Sequence, residues 1–97
     1  MKRFIQGGFH LQDDVNDIQR YEQEHNDALQ KIVAWANDLN VAVRFGTTAK
    51  NEYVAEYEAR AKTSRMCKGI VSELKAMLNE HWNGVRMTWQ MAGDIMD

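Results

Sequence analysis

From Asn51 to Trp82 the chain runs without a proline or a clear turn signal, the longest such stretch in the sequence. Proline is absent throughout, which fits long uninterrupted helices. Tyr57, Ala61, Val71, Leu74, Leu78 and Val85 recur on a three-or-four-residue rhythm, as one face of a helix requires. The spacing therefore predicts one long second helix over this stretch, on which the preceding residues pack. Thr47 or Thr48 supplies its N-cap. Glu56–Arg60 and Glu58–Lys62 are i,i+4 pairs in the favourable order on its solvated side. Gly69 inside it marks a close helix crossing, and Asn83-Gly84 is the stop signal.

The first helix is expected to start at Asp13 or Asp14, where an aspartate accepts from the free amides of the first turn. Val15, Ile18, Leu29, Ile32, Ala36 and Leu39 carry its apolar rhythm to Asn40, which tolerates a left-handed cap. The rhythm breaks in the middle, where Glu22 and His25 occupy seam positions. Before it, Phe4-Ile5 and Phe9–Leu11 flank Gly7-Gly8, so the N-terminal segment reads as a hairpin about a glycine turn, an edge strand or an arm. Val41, Val43 and Phe45 alternate with other residues as in a short strand, which pairs in parallel with the N-terminal segment if that is also a strand. Beyond Gly84, Val85, Trp89, Ala92, Ile95 and Met96 suggest a last short amphipathic helix.

The fold expected from these signals is mainly α: an antiparallel hairpin of two long helices plus a short C-terminal helix, with one or two short strands at the N-terminus and connector. A length of 97 residues fits a single domain, 1–97, with one core. It also permits a homodimer that completes a four-helix bundle.

One cysteine, Cys67, allows no intramolecular disulfide, and a reducing cytoplasmic setting is expected. MKRFIQGGFHLQ lacks the apolar core of a signal peptide, and no apolar run approaches the ~20 residues of a membrane span. Cys67 itself reads as a buried small hydrophobe. The formal charge of −2 argues against a general polyanion binder. Charge is segregated along the chain, however. Residues 13–40 hold seven acids against Arg20 and Lys31, and residues 41–70 hold six bases, Arg44, Lys50, Arg60, Lys62, Arg65 and Lys68.

Three function classes follow. The first is a non-enzymatic protein–protein interaction module. Acidic residues of the first helix, among them Asp17, Glu24 and Asp27, imitate a run of phosphates, and the end rich in tryptophan and methionine, with Trp82, Trp89 and Met91, offers adaptable contact area. A phage or mobile-element accessory protein that inhibits a nuclease, restriction or CRISPR machine is one instance. The second class is a nucleic-acid binder that uses the six bases of residues 41–70. The third centres on Arg20, Glu22 and His25. Glu22-x-x-His25 places a carboxylate and an imidazole on one helix face, as in carboxylate-bridged dimetal bundles. Arg20 and His25, with four residues between them on a helix, resemble the motif of the HEPN ribonucleases. That resemblance implies a histidine acting on a ribose 2′-oxygen and an arginine stabilising the phosphate. The first class is preferred, with no catalytic residue, metal or cofactor expected.

Overall fold

Four strands and three helices make up the described residues. They are β1 (Lys2–Gln12), α1 (Ile18–Glu24), α2 (Asn26–Asp38), β2 (Ala42–Thr47), β3 (Tyr53–Ala61), α3 (Ser64–His81) and β4 (Arg86–Ile95). The computed structural model describes residues 2–95, with side chains from residue 3 to residue 91. The strands form one sheet in the order β2-β3-β1-β4, and the pairs β2·β3, β3·β1 and β1·β4 are all antiparallel. β1 and β2 thus run parallel with β3 inserted between them, the split βαβ or ferredoxin-like topology. This α/β architecture replaces the expected mainly α hairpin.

The largest correction falls on residues 51–82. YVAEYEARA is a strand, not the first half of a helix. Its side chains alternate, with Tyr53, Ala55, Tyr57 and Ala59 buried and Val54, Glu56, Glu58 and Arg60 on the other face. A period of two was therefore present, but the alanines and the i,i+4 charge pairs of the same nine residues also satisfied a helical reading. Those pairs do not form as expected. Arg60 Nε donates to Glu58 Oε1 at 2.6 Å, two residues away on the same strand face, and Glu56 faces Arg44 of β2 at 4.0 Å. The helix begins only at Ser64, capped by Thr63, whose hydroxyl accepts from Met66 N at 3.1 Å. Cys67, Val71, Leu74 and Leu78, spaced four, three and four, are its buried stripe. Gly69 lies on the outside with nothing within 4 Å of a Cβ built there, so it marks no helix crossing. Gly84, at φ +72°, follows the end of α3 in the left-handed region.

Gly7-Gly8 is not a turn. β1 runs straight through both residues at the centre of the sheet. Small size is what the position needs: a Cβ on Gly7 would meet Trp89 O and Tyr57 Oη at 2.5 Å, and one on Gly8 would meet Trp89 Nε1 at 2.8 Å. The expected first helix is two helices that meet at His25, where the rhythm broke. Asp17 rather than Asp13 or Asp14 caps the first, accepting from Arg20 N at 3.2 Å. Asn40 takes the left-handed conformation at φ 54°. The expected C-terminal helix is the edge strand β4; Met96 lies outside the described residues.

The core lies between one face of the sheet and the helices. Ile5, Phe9, Tyr57 and Ala59 from the strands meet Leu29, Ile32 and Ala36 of α2 and the stripe of α3. Cys67 is fully buried there, and its thiol donates to Arg3 O at 3.4 Å. Among the described residues the helices cover one side of the sheet only, and the opposite face is open.

Candidate functional site

The open sheet face is built by alternation. Residues paired across the strands share a face. The register therefore puts Phe4, Gln6, Gly8 and His10 of β1 on the open side with Glu56, Glu58 and Arg60 of β3, Arg44 of β2, and Trp89 and Met91 of β4. Trp89 and Met91 are 44% and 52% exposed, unusual values for such large apolar side chains side by side on one strand. The Trp89 ring lies over the bare backbone of Gly8, and next to it the bulge residue Thr88 donates its hydroxyl to Gly8 O at 3.0 Å. A basin of about 510 Å³ opens between this ring and β2, floored by Gly8, Gly46 and Val54 and walled by Arg44 and Glu56.

At the far end of the basin His10 is the one buried polar residue among those described, 7% exposed. Its Nε2 lies 2.8 Å from Asp13 Oδ1 and 3.9 Å from Glu52 Oε2. A bulge between His10 and Gln12 ends the regular pairing of β1 and turns the chain so that Asp13 comes back over His10. The loop that carries Glu52 is tied to the loop after β1: Val15 N donates to Asn51 O at 2.7 Å and Asn51 Nδ2 to Asn16 Oδ1 at 3.1 Å. Thr48 Oγ1 donates to Glu52 Oε1 at 3.2 Å, which leaves Oε2 toward the histidine. His10, Asp13 and Glu52 were not read as a site in the sequence, where Asp13 figured only as a helix cap and an acidic residue. His10 and Asp13 sit three apart, but only the β1·β3 pairing brings Glu52 to them.

A second polar cluster lies where α1, α2 and α3 meet. Glu22 and His25 do not act as a pair there. Glu22 Oε2 accepts from Tyr53 Oη at 2.6 Å, and His25 Nδ1 is 2.7 Å from His81 Nε2. Trp82 Nε1 donates to Tyr21 Oη at 2.7 Å, and the His25 ring packs on Tyr21, tilted by 37°, at a centroid distance of 4.2 Å. Burial pushes the Tyr53 phenol up, and the adjacent Glu22 carboxylate pushes it further. Burial lowers the pKa of His25, with a further contribution from His81. Glu22 and His25 thus bond to different residues of the chain, and the Glu-x-x-His spacing does not bring the two side chains together. Arg20 pairs with Glu24 at 3.2 Å on the surface while His25 pairs with His81, so the HEPN-like pair is not assembled.

The remaining expected site residues scatter. Trp82 is core, 3% exposed, and offers no partner surface. Asp17, Glu24 and Asp27 belong to the α1–α2 layer, across the sheet from Trp89 and Met91. The six bases form no single patch: Arg44 and Arg60 are on the open face, Lys50 is in the β2–β3 turn, Lys62 follows β3, and Arg65 and Lys68 are on α3. No helix among the described residues is long and apolar enough to cross a membrane. No protein-family model matches the chain, and no curated protein sequence is similar to it.

Proposed function

We propose that the chain is a non-enzymatic protein–protein interaction module that docks its partner on the open sheet face, in the cytosol. The observation that carries this reading is the exposed Trp89–Met91 pair on β4, which extends the basin with adaptable apolar area. The charges around it favour a protein over a nucleic acid. Arg44 and Arg60 both lie against carboxylates, those of Glu56 and Glu58, so they form no uncompensated strip that would track phosphates. The matching partner presents an apolar patch flanked by charges of both signs. The acidic residues Asp17, Glu24 and Asp27 lie on the other side of the sheet, so a phosphate-mimicking surface and the apolar patch are separate, and docking uses the patch.

The test is a tagged pull-down with and without nuclease, run on the natural chain and on a Trp89→Ser/Met91→Ser variant. Both side chains are exposed, so the variant keeps its circular dichroism spectrum. A defined protein retained after nuclease and at raised salt, and lost from the variant by about 30-fold in affinity, supports the reading. Retention of nucleic acid alone, released by moderate salt, overturns it, as does a partner indifferent to both substitutions. Sedimentation of the purified chain shows whether that partner is a second copy.

A further inference from the structure

We infer that His10, Asp13 and Glu52 form a binding site for a divalent transition-metal ion of the zinc class. One imidazole nitrogen faces two carboxylates here. A proton on Nε2 can serve only one of them, and Asp13 Oδ1 is the nearer at 2.8 Å. Glu52 Oε2 at 3.9 Å lies beyond hydrogen-bond reach of the same nitrogen. Among the described residues no lysine or arginine forms an ion pair with either carboxylate. One imidazole nitrogen and an oxygen from each of two carboxylates thus converge on one point, where a cation can bind all three.

The ligand atoms all lie within 4.8 Å of one another. Around a tetrahedral ion with bonds of about 2.0–2.2 Å, they would stand about 3.4 Å apart. The observed 2.8 Å and 3.9 Å bracket that value. One imidazole with two carboxylates suits zinc better than magnesium or calcium, which prefer all-oxygen shells. The site also has the outer support such centres need: Thr48 holds the far oxygen of Glu52, and the Val15–Asn51 bond fixes the two loops together. His10 and Glu52 also line the basin, so a fourth position opens toward the sheet face. An ion there would staple the loop after β1 to the β2–β3 turn. It requires nothing of the partner that docks at Trp89.

The test is calorimetric titration of the EDTA-stripped full chain with zinc chloride, using circular dichroism to check each variant's fold. One equivalent is expected at the site. Glu52→Gln and Asp13→Asn, which change exposed or half-exposed side chains without changing their shape, should weaken that binding by about 100-fold, and Thr48→Val by about 10-fold. His81→Ala, which removes the imidazole pair at the helix junction, should leave it intact. Absence of zinc uptake overturns the assignment. So does uptake that survives Glu52→Gln unchanged or vanishes with His81→Ala.

Discussion

Replacing Gly7 with alanine tests the central placement of β1 directly. The added Cβ would lie 2.5 Å from Trp89 O, 2.5 Å from Tyr57 Oη and 2.8 Å from Tyr57 Cζ. The carbonyl belongs to β4 and moves only if the β1·β4 ladder opens. Tyr57 is 3% exposed, and its ring packs against Phe9 while its hydroxyl bonds Gln90 at 3.3 Å, so it has little room to retreat. Overpacking of this kind costs about 1–3 kcal/mol. A lost hydrogen bond adds ~1 kcal/mol. Reduced freedom of the unfolded chain returns about 0.4–1 kcal/mol. The net expectation is a loss of about 1–3 kcal/mol, and a domain of this size converts that into a fall in Tm of about 5–20 °C. Urea denaturation followed by circular dichroism measures it, with an unchanged m-value showing that the same surface is exposed. Gly46→Ala and Gly69→Ala are internal controls, because nothing lies within 4 Å of a Cβ at either position. Gly69→Ala should gain about 1 kcal/mol from helix propensity. If Gly7→Ala proves as stable as Gly46→Ala, residues 7 and 8 are not enclosed between β3 and β4, and the sheet order is wrong.

Three further outcomes are expected. Trp82→Ala should cost about 3–5 kcal/mol in urea denaturation, because it empties a buried site and orphans Tyr21, whereas Trp89→Ala should stay within about 1 kcal/mol. Thr63→Ala should cost about 1 kcal/mol by leaving Met66 N without its cap acceptor, measured the same way. His25 has a depressed pKa in the folded state, so the unfolded chain binds more protons near neutrality and stability rises with pH. This contribution is present above the ordinary histidine range of about 6.5 and is lost as pH falls from there toward the folded value. Tm measured at pH 7.5 and 5.5 should drop less for His25→Gln than for the natural chain.

Much of the local chemistry was legible in the chain. The buried stripe of α3 from Val71 to Leu78, the stop before Gly84, the left-handed Asn40, the strand near Val43 and the burial of Cys67 all follow from short-range spacing and residue type. The candidate sites were less so. Trp89 and Met91 stood out by composition, but Trp82, which shares that composition, is core. Its indole closes a cluster with Tyr21 and Tyr53 that only the packing of α1 against β3 creates.

What the sequence determined by itself is the set of faces, because apolar periodicity and caps act over a few residues. Which period wins where two coexist was left to the tertiary structure. The segment Tyr53–Ala61 satisfies both, and it becomes a strand because β1 and β2 take up its backbone hydrogen bonds and bury its two tyrosines on one side. The same pairing explains Gly7-Gly8, which look like a turn until the Tyr57 hydroxyl and the Trp89 carbonyl and ring are brought over them. It also assembles His10, Asp13 and Glu52, whose 39-residue gap between Asp13 and Glu52 no local rule can close. Strand order is a sum of long-range contacts, each weak, and it is settled only when the whole sheet forms against the helices.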